Sequence, residues 1–177
     1  MNEALEFELS AIAQHIVHAE MLHISGNGRH GLYITKQAIE EMLHARCLIG
    51  RILALKGLPQ VDAPPAPRIG GSFLEQLEND LAADREAVNQ YCSAAAICGR
   101  AGDTVSQALL ENMVIKKEEN ADYLEAELSA HAAAGFESAA EQRIHSVPGP
   151  LQHDSASYQS ASSVDRELQA APRKRTV

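Results

Sequence analysis

The sequence predicts an all-α fold, an antiparallel four-helix bundle with a long crossover between the second and third helices and a short fifth helix. Three observations carry this reading. Apolar residues recur at alternating spacings of three and four along four long segments. Breakers bound each of those segments. Aromatics make up only 4% of the 177 residues and Trp is absent, while Ala and Leu are abundant, a composition that suits packed helices better than a β-sandwich. The length is enough for one domain with a real core.

The first helix spans about Asn2 to Ile24 and stops at Ser25-Gly26-Asn27-Gly28. The second spans about Leu32 to Lys56, with Gly57 near its C-cap and Pro59 beyond. The stretch from Val61 to Gly71 holds Pro64, Pro65 and Pro67 and cannot be helical, so it is the crossover. The third helix opens at Ser72, with Glu75 three residues on as the other half of a capping box, and continues to about Cys98. A tight turn, Gly99-Arg100-Ala101-Gly102, leads to Asp103 as the N-cap of the fourth helix, which runs to about Ala132. A short helix follows at about Phe136 to Ile144. Residues 1–145 thus form the bundle domain. Residues 146–177 are poor in apolar side chains and read as a disordered polar tail whose terminal Arg173-Lys174-Arg175 cluster is solvated.

The net charge of −9 argues against nucleic acid as a partner and fits a protein that attracts cations. Three cysteines, Cys47, Cys92 and Cys98, make no paired framework and read as free thiols in a reducing compartment. The start of the chain, Met1-Asn2-Glu3-Ala4, is polar and does not read as a signal peptide, and no apolar run reaches membrane-spanning length. These features place the protein in the cytoplasm, away from membranes.

The inner stripes carry the chemistry. They run through Leu5, Glu8, Ile12, His15, Ala19 and Leu22, then Ile34, Ala38, Glu41, Ala45, Leu48, Ile52 and Leu55. The third helix contributes Leu77, Leu81, Asp84, Val88, Tyr91, Ala95 and Cys98, and the fourth Leu110, Met113, Lys117, Asn120, Leu124 and Leu128. Each apolar stripe is interrupted inside its helix by a charged side chain: Glu8, Glu41, Asp84 or Lys117. Converging carboxylates in a core need a cation, either a metal ion or the Lys117 ammonium. Glu41-Met42-Leu43-His44 sets a carboxylate and an imidazole three residues apart on one helix face, half of a di-iron carboxylate site. Met42 is rotated about 100° from Glu41 and faces elsewhere. His15 lies on the stripe, whereas His18 and His23 read as surface or interface residues.

Together with Glu8-Leu9-Ser10-Ala11-Ile12-Ala13-Gln14, Arg51 to Pro59, Asp80-Leu81-Ala82 and Asp122 to Leu128, this motif makes residues 1 to 145 resemble the bacterioferritins. The resemblance implies a ferritin-like bundle that self-assembles into a hollow, many-subunit shell storing ferric mineral. It implies Fe(II) oxidation at a di-iron centre in each bundle and haem b held between two subunits by one Met from each. Carried over to this chain, Glu8, Glu41, His44 and Asp84 are the metal ligands and Met42 is the haem ligand. Asp84 stands where a Glu is expected. The second Glu-x-x-His falls on Lys117 and Asn120, a cation and a weak oxygen ligand, and His15 stands where a Tyr is usual.

The sequence therefore leads to an iron-storage subunit with impaired or absent ferroxidase activity, at most one iron per bundle and haem at Met42, assembled alone or with a catalytic ferritin-like subunit. Two alternatives stay open: an active ferroxidase or single-metal oxidoreductase with atypical ligands, and a structural bundle with neither metal nor haem.

Overall fold

A computed structural model describes residues 1–62 and 64–134. Its helices are α1 (Asn2–Ile24), α2 (Gly28–Ala54), α3 (Phe73–Arg100) and α4 (Thr104–Ala134), with no strand among the described residues. The expected short helix at 136–144 and the polar tail at 146–177 lie outside those residues.

The third and fourth helices begin where their capping residues predict. The Ser72 hydroxyl accepts from the Glu75 amide while the Glu75 carboxylate accepts from Ser72, closing the capping box. Asp103 Oδ1 accepts from the Ser106 amide at 3.0 Å. The second helix differs from expectation at both ends. It starts at Gly28, four residues early, because Gly31 serves close packing and does not break the helix: a Cβ there would meet the Ala19 carbonyl oxygen at 3.0 Å. It stops at Ala54, where Lys56 takes up the left-handed conformation with φ 60°. Leu55, expected on the inner stripe, is consequently exposed.

The chain is built as two hairpins. α1 packs along α2, and α3 along α4, whereas α2 and α4 approach at few points. Long polar side chains span that last gap. Arg51 donates to Ser106 at 2.8 Å, Lys117 to Glu41 at 2.6 Å and Tyr33 to Asn120 at 3.2 Å. Nearer the end, the Tyr33 and Tyr123 rings stack with centroids 3.6 Å apart. The pairs descend α2 as they ascend α4, as antiparallel helices require.

The crossover is held to α1 through its main chain. Asn2 bonds the Leu58 carbonyl and the Gln60 amide, Gln14 accepts from the Arg68 amide and His18 accepts from the Gly70 amide. At Gly70 any Cβ would collide with the backbone of Glu75 and Gln76.

The core is divided. One apolar cluster gathers residues such as Leu5, Leu48, Ile52, Tyr91 and Met113, and another gathers Leu22, Ile34, Phe73, Leu77 and Leu124. Between them lies a buried polar layer of Glu8, His15, Glu41, Asp80, Asp84, Lys117 and Asn120.

Candidate metal centre

Each helix brings its interrupting residue into that layer because the residue occupies a core position of the apolar repeat. Glu8, Glu41, Asp84 and Lys117 are each no more than 1% exposed. Lys117 Nζ lies 2.6 Å from Glu41 Oε1, 3.3 Å from Asp84 Oδ1 and 4.0 Å from Glu8 Oε2. On the other side of the carboxylates, His44 Nδ1 is 3.2 Å from Glu41 Oε2 and 3.7 Å from Glu8 Oε2. Tyr91 donates its hydroxyl to Glu8 Oε1.

Burial and charge oppose each other here. Burial pushes the Glu8 carboxyl up to about 7, against the pull of Lys117. Burial raises Asp84 likewise, to about 6, with Lys117 again opposing. Burial also acts upward on Glu41, but the Lys117 ammonium and the hydrogen bond from His44 outweigh it and hold Glu41 well below the usual range. The two neighbouring carboxyls are thus pushed in opposite directions. Burial disfavours charge on His44, yet its bond to Glu41 and the nearby Glu8 carboxylate lift it to about 9. Three carboxylates draw the Lys117 ammonium upward despite complete burial.

One atom each from Glu8, Glu41 and His44 lies within 4.8 Å of the others, a spacing that can hold one metal ion. Glu8 Oε2 is buried with no hydrogen-bond partner among the described residues, which suits a missing ligand contact. Asp84 is not in that group; it faces Lys117. Asn120 is buried and accepts from the Tyr33 hydroxyl. Met42, half exposed, lies outside the bundle beside the exposed Leu43 and Ile39.

His18 corrects the sequence reading. Expected at a surface or an interface, it is 0% exposed. Its Nε2 accepts from the Gly70 amide at 2.9 Å, so the ring proton sits on Nδ1 and is given to Asp80 Oδ1 at 2.8 Å. Gln14 donates to the same Asp80 oxygen at 2.8 Å. His15 stands between the two polar groups, 3.7 Å from Asp80 and 3.9 Å from Glu41. His23 is exposed. The signal for Asp80 was present, four residues before Asp84 and so on the same face of α3.

Comparison with known proteins agrees with this architecture. The family model described as a ferritin-like domain matches residues 1–133. The chain is 34% identical over 148 residues to a bacterioferritin of Mycobacterium tuberculosis, covering 84% of this chain and 93% of that protein. It is 36% identical over 135 residues to the bacterioferritin of Rhodobacter capsulatus, covering 76% and 84%. With the bacterioferritin of Brucella melitensis it shares 35% identity over 137 residues, covering 77% and 85%. This chain belongs to the bacterioferritin family.

As a bacterioferritin-type subunit it carries the expected all-α, four-helix, ferritin-like fold. Within that family fold, the polar layer is where a metal would be held, and Glu8, Glu41 and His44 are the residues spaced to hold one. No helix among the described residues is long and apolar enough to cross a membrane.

Proposed function

We propose that this chain is an iron-storage subunit that self-assembles into a bacterioferritin-type shell in the cytoplasm, with ferroxidase activity impaired or absent. The observation that carries the reading is Lys117 Nζ standing among Glu41, Asp84 and Glu8. An ammonium at that place neutralises charge that a second metal ion would otherwise neutralise, and like charges exclude each other at such distances. Asn120, tied to Tyr33, offers no imidazole. The bundle then holds at most one iron, on Glu8, Glu41 and His44, with Asp84 committed to Lys117. Such a subunit works beside a catalytic ferritin-like subunit in a mixed shell, contributing storage surface and haem sites while its partner oxidises Fe(II).

Met42 is the proposed axial ligand of haem b at a subunit interface. Its exposure outside the bundle beside Leu43 and Ile39 of the same helix supports this, because a thioether in an apolar patch suits a haem edge. Haem held by soft sulfur ligands supplies an electron-accepting iron for the release of stored mineral. Free Cys47 and Cys92, both exposed, suit a reducing compartment.

A second reading, a single-metal oxidoreductase or an active ferroxidase with unusual ligands, draws on the three-ligand group alone. Metal content, Fe(II) oxidation rate, visible spectrum and mass in solution, measured on the purified protein, decide between them. Two irons per subunit with fast oxidation sinks the proposal. A large assembly with a Soret band, slow oxidation and no more than one bound ion supports it.

A further inference from the structure

Each of the two buried carboxylates has one oxygen already engaged. Tyr91, fully buried on α3, donates to Glu8 Oε1. Lys117 donates to Glu41 Oε1 at 2.6 Å. The two opposite oxygens are left toward His44, Glu41 Oε2 at 3.2 Å and Glu8 Oε2 at 3.7 Å from Nδ1. Glu8 Oε2 has no hydrogen-bond partner among the described residues. An orphaned carboxylate oxygen in a core is costly and points to a missing ligand contact.

We infer that Tyr91 is a positioning residue for a single divalent ion, turning Glu8 so that only Oε2 joins Glu41 Oε2 and His44 Nδ1 in holding it. The inference rests on the single-ion reading above and adds how that ion is selected. A carboxylate bridges two ions by giving one oxygen to each, and clamps one ion by giving both. With Oε1 of Glu41 on Lys117 and Oε1 of Glu8 on Tyr91, the donors already in place favour single-oxygen ligation over either mode. The site is left with three single-atom donors, two carboxylate oxygens and one imidazole, a set suited to one borderline divalent cation. The ring of Tyr91 also packs edge-on against Phe7, with centroids 6.3 Å apart. Phe at position 91 keeps that packing and removes only the hydroxyl.

The test titrates Co2+ into metal-free full-length protein, wild type and Tyr91→Phe, reading affinity and the visible absorption of the bound ion. The wild type is expected to take one Co2+ per chain. The variant is expected to take one as well, with affinity lower by about 10- to 100-fold, the usual consequence of losing a hydrogen-bonded partner behind a ligand. Its cobalt bands shift, because Glu8 is free to change its binding mode. A purely structural role for Tyr91 leaves those bands unchanged. A second arm needs no variant: Zn2+ added to the wild type shifts the near-ultraviolet tyrosine signal as the acceptor of the Tyr91 hydroxyl becomes a ligand. Equal affinity and identical bands in the two proteins, or a silent tyrosine signal, overturn the inference and leave the storage reading standing. No bound Co2+ in the wild type overturns it too. Two ions per chain overturn the single-ion reading and this inference with it.

Discussion

Lys117 on α4 and Glu41 on α2 meet across the middle of the bundle, Nζ to Oε1 at 2.6 Å, with both side chains 1% exposed. An ion pair in that setting contributes little beyond what apolar side chains of equal size would supply, but losing one partner strands the other. The pair is therefore a point of fragility as well as a source of charge balance.

Replacing Lys117 with Met leaves Glu8, Glu41 and Asp84 facing one another without an ammonium. The metal-free variant is expected to lose about 3–5 kcal/mol, the usual cost of breaking a buried pair from one side. Urea unfolding in the presence of a chelator measures this. Adding Zn2+ should recover part of the loss, and a variant as stable as the wild type would remove the case for Lys117 as the counter-charge.

Restoring the missing half-site is the converse experiment. Lys117→Glu together with Asn120→His rebuilds a Glu-x-x-His on α4 opposite Glu41 and His44. The double variant should bind two irons per chain and oxidise Fe(II) faster than the wild type, as followed by stopped-flow absorbance. An oxidation rate no different from that of the unchanged protein counts against the reading that positions 117 and 120 limit the activity.

The metal-free protein should be most stable near pH 5 and lose stability toward pH 9. Glu8 and Asp84 hold protons up to about 7 and about 6 in the folded chain, above their ordinary 4.5 and 3.8. Their contribution is full below those ordinary values and is lost as pH rises through the folded ones. His44, raised from 6.5 to about 9, adds a second loss between those two values. Glu41 runs the other way, its contribution disappearing on acidification below 4.5. Thermal melts in chelator across this range give the profile, and Glu8→Gln should flatten its middle portion.

Met42→Leu should abolish most of the Soret absorbance of protein reconstituted with haem while leaving shell assembly intact. Leu keeps the apolar bulk and removes the sulfur. Full absorbance in the variant refutes the assignment of Met42 as ligand.

His18→Leu removes the acceptor for the Gly70 amide and the donor to Asp80 together. About 1–3 kcal/mol should be lost for the polar groups left buried and unpaired. Hydrogen exchange at Gly70 should accelerate relative to neighbouring amides, and an unchanged rate there contradicts the role given to His18.

Much of this architecture was legible in the sequence because helices declare themselves by period and by punctuation. The capping box at Ser72 and Glu75, the cap at Asp103 and the inward placement of Glu8, Glu41, Asp84 and Lys117 all follow from spacing alone. What spacing concealed has a common cause. A single stripe per helix assumes that one face is covered, yet α1 is covered by α2, by α3 and by the crossover as well. His18 and Gln14 are buried on the face that the crossover covers, so a stripe drawn toward the other helices misses them. Gly28 looked like a breaker and α2 was expected to begin after it, because composition does not reveal how closely two helices approach at Gly31. Tyr91 was recognised as a core residue, but its hydroxyl acceptor lies on another helix, at a sequence separation no local pattern reports.

The crossover is gripped through its peptide groups, at Leu58, Gln60, Arg68 and Gly70, by side chains that belong to α1. Its own side chains, Val61 and Ile69 among them, are mostly turned to water. The instructions for laying this segment are therefore written in another part of the chain, and its own letters are nearly free to change. Gly70 is the exception. A peptide tag or a reactive handle placed at Val61 or Asp62 would stand on an exposed stretch of the single chain, which makes this part of the crossover the natural address for decorating the protein.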